Sequence, residues 1–325
     1  MTGKRSLDRA GLCCATLLLL CVPSPAASQS GDGGQAAGVL AIPAGGRSAG
    51  MGGAYTAGTD VDALFYNPAS AAWLERAAAV SYQRHVQDIG FASAAAAARV
   101  GPLHGAVTLA FLDFGSIREV RPDPAYEGER GRETGAVLDA AETTVRATAA
   151  LPLLDGRLAV GASAGLLMVA IAETGRTTPV FDAGAQYRLL PNATIGAALR
   201  HAGRSLRGAG LGAAPLPTEV RIGSAVVLPF PPLDHVEISA HADLAIPVRS
   251  AGPAPILGVE ASFAPANRPF AAALRAGYNG ASGTDALGRV HLGGGIQVRH
   301  LSLDYAFQDM DLLGSVHRLG IRWAR

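Results

Sequence analysis

Lysine is almost absent from this sequence: Lys4 is the only one in 325 residues. That bears directly on the stretch "AGMGGAYTAGTDVDALFYNPA", residues 49–69, whose glycines invite a reading as a phosphate cradle. A phosphate loop needs glycine-opened backbone N–H groups, then a lysine and a Ser/Thr hydroxyl at a helix start. Here Gly50, Gly52 and Gly53 lead into Ala54 and Tyr55, and no lysine elsewhere can substitute. The G-x-G-x-x-G spacing fails too, because Tyr55 occupies the third glycine position and no strand-like run comes before it. Nucleotide binding is set aside.

Cysteine is confined to Cys13, Cys14 and Cys21. All lie in residues 1–28, which read as a secretory signal. Lys4, Arg5 and Arg9 form the positive region, Ala10–Val22 the short apolar core, and Ala26-Ala27-Ser28 the small residues before cleavage at Gln29. The exported chain therefore has neither disulfides nor a thiol nucleophile. Other chemistry-bearing patterns are missing as well. No G-x-S-x-G elbow occurs, and the eight histidines show no H-E-x-x-H spacing. His241 and His291 fall inside strand-like runs with polar neighbours and read as residues lining an interior. We expect no enzyme, cofactor or metal.

Charge is scarce, at 16% of residues and a net +1, which argues against nucleic acid as a partner. With 49% hydrophobic residues the chain is too apolar for an ordinary soluble enzyme. Yet beyond residue 22 it has no apolar run of the ~18–20 residues that a spanning helix needs. The remaining way through a membrane is a closed β-barrel.

What is present fits that solution. From Ala77 the chain reads as fourteen strands, at 77–86, 89–100, 105–115, 140–151, 157–171, 179–189, 193–202, 217–228, 235–247, 255–264, 270–278, 287–298, 301–308 and 315–323. Segments such as "TVRATAAL", "HVEISAHADL" and "LSLDYAF" alternate polar with apolar residues, the dyad pattern of a barrel with a lipid-facing exterior and a polar lumen. Alternate connections are tight, as at "GPLHG", "LLDG", "LPN" and Arg299-His300. Those between are mostly longer, as at 116–139, 203–216, 248–254 and 279–286. Outer-membrane barrels sort their loops this way, with short turns toward the periplasm. The expected fold class is thus all-β: a transmembrane antiparallel β-barrel of about fourteen strands. The expected divisions are a signal peptide at 1–28, an N-terminal plug or clasp at 29–76 and the barrel at 77–325. The arginine-rich loop 118–132 reads as a solvated loop touching anionic lipopolysaccharide.

The segment "GGRSAGMGGAYTAGTDVDALFYNPAS" (45–70) and the ending "LDYAFQDMDLLGSVHRLGIRW" resemble PorV/PorQ-type outer-membrane proteins, within the wider FadL-like group of fourteen-stranded barrels. The resemblance implies that the N-terminal segment folds inside or under the barrel. It also implies that an Asn-Pro-Ala turn leads into the first strand. Gly50, Gly52, Gly53, Tyr55, Asp60, Asp62, Asn67 and Pro68 are accordingly candidate residues of a structural clasp. Asp60 and Asp62 are too few ligands for calcium, which takes about six to eight oxygens, and read instead as helix caps. The C-terminal Gly320 and Trp323 fit the signal read by the outer-membrane assembly machinery, although Arg325 replaces the usual terminal aromatic. Three functions stay open. The first is a type IX secretion accessory binding cargo or translocon partners, the second a FadL-like channel for hydrophobic small molecules, the third a purely structural barrel. Expected partners in every case are outer-membrane lipid and lipopolysaccharide.

Overall fold

The computed structural model describes residues 37–325 except 85–88, 127–129, 209–210, 230–234, 250–251, 267, 282–288 and 311–313. The signal sequence and its cleavage point lie outside the described residues. The strands are β1 (Arg76–Arg84), β2 (Gly90–Val100), β3 (Leu103–Pro122), β4 (Gly131–Leu153), β5 (Leu158–Ile171), β6 (Thr174–Leu190), β7 (Ala193–Gly203), β8 (Leu206–Gly208) and β9 (Leu211–Ala214). They continue as β10 (Glu219–Pro229), β11 (Val236–Pro247), β12 (Ala254–Phe263), β13 (Phe270–Asn279), β14 (Val290–Val298), β15 (Leu301–Asp309) and β16 (Ser315–Ala324). Fourteen of them form one closed barrel in which each strand pairs antiparallel with its chain neighbour and β1 closes on β16. The other two, β8 and β9, form a small separate hairpin.

The polarity of the wall is inverted relative to a water-soluble protein. In β1 every second residue is buried, and the buried ones include Ser81 and Gln83 while Val80 and Tyr82 are exposed at 55% and 57%. The same reversal runs round the barrel: Leu109, Phe111, Leu257, Leu303, Ile321 and Trp323 face out, and Thr108, Glu260, Asp304 and Arg318 face in. A strand with period-two side chains can present apolar groups to lipid only by turning its polar ones inward. The closed, apolar-skinned barrel is a transmembrane barrel of the bacterial outer-membrane type.

One rim carries the tight turns. Gly101 (φ 63°) and Arg299 (φ 54°) each enter the left-handed region to close two-residue turns. On the other rim three expected loops differ. Residues 116–139 are largely strand, because β3 and β4 run on as a hairpin past their other neighbours. β2 accompanies β3 only to Asp113, and β5 accompanies β4 only from Ala140. Above the membrane no lipid demands an apolar face, so the alternation that marks a strand fades while backbone pairing persists. Residues 172–173 form a tight turn, with β6 starting at Thr174, and the 203–216 loop holds β8 and β9.

Residues 37–74 fill the barrel. They contain two one-turn helices, Gly38–Ala41 and Gly46–Gly50, and two 3₁₀ helices, Val61–Phe65 and Pro68–Trp73. Met51, Tyr55, Leu64, Phe65 and Tyr66 are buried in a core shared with Phe91, Leu112, Leu167 and Val180 of the wall.

Candidate functional site

An irregular segment inside a barrel faces a specific difficulty: its peptide groups have neither water nor a regular ladder to pair with. The wall supplies the partners. Arg221 and Arg200 donate to the carbonyls of Gly53 and Phe65 at 3.1 and 2.9 Å, and Asn279 donates to Gly52 O at 2.8 Å. Arg318 donates to Pro43 O and Gly45 O. For the N–H groups, one oxygen of Asp243 accepts from Tyr55 N, Thr56 N and the Thr56 hydroxyl at 2.7–3.0 Å, and Glu142 accepts from Val39 N. Gln186 donates to Thr56 O and Gly58 O while accepting from Trp73 Nε1.

The candidate clasp residues sit within this lattice. Asn67 caps the second 3₁₀ helix by accepting from Ala69 N, Pro68 opens that helix, and the Asn67 amide reaches Ala185 O and Ala197 O on the wall. Asp60 caps the first by accepting from Asp62 N. Asp62 does not cap its own helix; it accepts instead from Arg47 N and Ser48 N, the first turn of Gly46–Gly50. Gly52 and Gly53 take φ of 66° and 81°, and Gly52 lies against the Tyr278 backbone. Gly50 lies against Gly293 of β14. Gly320 faces inward against Gly46, whereas Trp323 faces out beside the short-turn rim.

At the centre is a closed cycle of three arginines and three carboxylates. Arg47 pairs with Asp60 (2.9 Å) and Glu260 (2.5 Å), Glu260 with Arg275, and Arg275 with Asp304 (2.8 Å). Arg322 then pairs with Asp304 (2.7 Å) and returns to Asp60 (2.9 Å). Two members belong to the inner segment and four to β12, β13, β15 and β16, so the cycle ties the segment to one side of the wall. The Tyr55 hydroxyl also donates to Asp60 at 2.9 Å. Against the burial that opposes its charge, Arg322 and Arg47 hold the Asp60 carboxyl below the usual carboxylate range. Burial and the adjacent Asp60 push Asp62 the other way, up to about 6.

The wall's half of the arrangement was not read from sequence as a seat for the segment, Gly320 having been read only as part of an assembly signal, although a pattern was there. Gly161, Gly196, Gly258 and Gly320 interrupt strands and face the inner segment. A Cβ at each would stand 2.6 Å from Pro68, 2.6 Å from Thr56 O, 2.7 Å from Met51 and 2.9 Å from Gly46. Isolated glycines within strands mark close backbone approach. Nothing in the sequence shows which charged lumen residues meet in the cycle.

Toward the rim opposite the short turns, the inner segment floors a cavity of about 240 Å³. Ile42 and Pro43 lie below it, and Met310, Val316, His291 and Arg318 line it, while the Phe307 ring turns outward against His317.

No protein-family model and no curated protein matches the sequence. Solved structures match the fold. The toluene transporter TbuX of Ralstonia pickettii superposes with a TM-score of 0.56 at 15% identity, covering 86% of this chain and 98% of that one. A Pseudomonas aeruginosa FadL homologue gives 0.52 at 13%, over 89% and 100%. A deltaS2S3 mutant of the monoaromatic hydrocarbon channel TodX gives 0.54 at 13%, over 86% and 97%. The protein is thus an outer-membrane β-barrel. Its fold is similar to that of FadL-type barrels.

Proposed function

We propose that this protein is an outer-membrane channel for small hydrophobic molecules, which collect above a fixed inner segment. The observation that carries this reading is the cavity at the mouth of the lumen, above the inner segment, with Ile42, Met310 and Val316 offering it apolar surface. Small-molecule sites are concave and mostly apolar with a few placed polar groups. Likeness in fold to a toluene transporter and a monoaromatic hydrocarbon channel supports the same reading. In it Gly50, Gly52, Gly53, Tyr55, Asp60, Asp62, Asn67 and Pro68 act as a structural clasp, and the path runs past residues 41–43, which border the cavity. Uptake of labelled toluene is to be compared among cells whose outer membrane carries the protein, cells carrying Val316→Arg at equal abundance and cells without the protein. Faster uptake with the natural chain supports transport. Equal uptake in cells with and without the protein rejects it.

A second reading, the PorV/PorQ-type secretion accessory, draws on a different feature. The β3–β4 hairpin beyond Asp113 pairs only with itself. It presents charged side chains, among them the exposed Arg118–Glu133 and Arg121–Glu119 pairs. Recognition carried by a projecting element on a rigid scaffold is a common arrangement. Under this reading cargo or translocon partners bind the hairpin and the filled lumen needs no path.

A further inference from the structure

The buried arginines of the lumen nearly all have a carboxylate. Arg146 pairs with Asp182, Arg200 and Arg221 with Glu219, and Arg275 and Arg322 with members of the central cycle. Arg318 is the exception. It is 3% exposed, and the groups that accept from it are the carbonyls of Pro43 and Gly45 and the amide of Gln83, none of them charged. Among the described residues no carboxylate stands within ion-pair distance of it. Its Nε is buried without an acceptor, as is Nε2 of His291, also 3% exposed. Both side chains line the cavity above the inner segment. A buried charge without a counter-charge is costly, and here the cost falls at the edge of a space open to a ligand.

We propose that this cavity binds a compact carboxylic acid in its anionic form, a single ring or short chain, with the carboxylate at Arg318 and His291. The apolar body would lie against Ile42, Met310 and Val316. Size sets the upper limit. The cavity, at about 240 Å³, is smaller than the ~300–1,000 Å³ of drug-sized pockets. A long alkyl chain would extend beyond it, and a neutral arene leaves both nitrogens unpartnered. This assignment rests on the transport reading for its biological use and refines its ligand class from hydrophobic to acidic-headed.

Titration of the purified full chain in detergent with benzoate, toluene and inorganic phosphate tests it. Benzoate is expected to bind at least about tenfold tighter than toluene or phosphate, since hydrogen bonds to charged groups carry that much discrimination. Arg318→Gln is expected to abolish the preference. Because Arg318 also holds Pro43 and Gly45, a second variant is needed: Ala306→Phe fills the cavity from the wall and leaves the charge in place. That variant is expected to lose benzoate while migrating as a folded barrel. Toluene binding as tight as benzoate, phosphate matching benzoate, undiminished benzoate affinity in Ala306→Phe, or no benzoate binding by the natural chain would each overturn the assignment. Whole-cell toluene uptake, measured separately, can fail or succeed independently, so the acid site and the transport reading are distinguishable.

Discussion

At the scale of single residues, the inner segment is held by backbone conformations that few residues adopt and by wall side chains that serve several of its groups at once. Gly52 combines a positive φ with direct contact against the Tyr278 backbone. Gly52→Val therefore meets two penalties: a branched residue in the left-handed region, at about 1–3 kcal/mol, and a side chain where the wall already stands. The expected outcome is a lower yield of folded barrel and a lower denaturant midpoint. A normal midpoint would show that the segment does not need its seat. The ionic cycle makes a more discriminating prediction. Arg47→Gln leaves Asp60 and Glu260 each short of a cation, and because Arg47 is partly exposed the cost falls below the ~3–5 kcal/mol of breaking a fully buried pair. Adding Glu260→Gln removes one of those uncompensated charges, but Arg275 then loses a partner too. The double variant is expected to be destabilised by less than the sum of the two single variants. Strict additivity in urea unfolding would mean that Arg47 and Glu260 are energetically independent.

The projecting hairpin shows how an element can be read correctly in chemistry and wrongly in form. Residues 116–139 are charge-rich and look like a loop, yet 116–122 and 131–139 pair across a register broken at Asp113/Ser116 and Arg118/Val120. Because the stretch pairs with neither β2 nor β5, deletion of 121–133 is expected to leave barrel closure and thermal midpoint unchanged. The same deletion is expected to spare toluene uptake under the channel reading. Loss of a co-purifying protein partner on deletion, with the barrel intact, would instead favour the secretion accessory.

For the whole molecule, stability in a bilayer depends on the depth at which a polar group meets lipid. Val80 lies midway along β1 and faces out, whereas Val100 ends β2 beside the short-turn rim. Val80→Arg is expected to cost about 2–4 kcal/mol in lipid, and Val100→Arg about 0–1 kcal/mol. Urea unfolding in lipid vesicles measures both. Equal penalties at the two positions would contradict the membrane placement.

Alternation along each strand was legible in the sequence, because lipid outside and a polar lumen inside impose a period of two on every spanning residue, whereas the connections of the far rim were legible only in part. The strand boundaries followed closely wherever both faces met those environments, as from Leu301 to Asp309, and were lost above the membrane where they did not. Within 45–70 the positive φ of Gly52 and Gly53 and the Asn67-Pro68 helix start match local residue signatures, since local backbone geometry leaves its mark on sequence. Pairings over long distance were not. Arg47 and Glu260 are separated by 213 positions, and nothing in either neighbourhood names the other. Barrel closure brings them together, together with Asp60, Arg275, Asp304 and Arg322. Closure likewise leaves Arg318 without a carboxylate among the described residues, a vacancy of charge that only the folded lumen reveals, because it depends on which side chains face one another across the barrel.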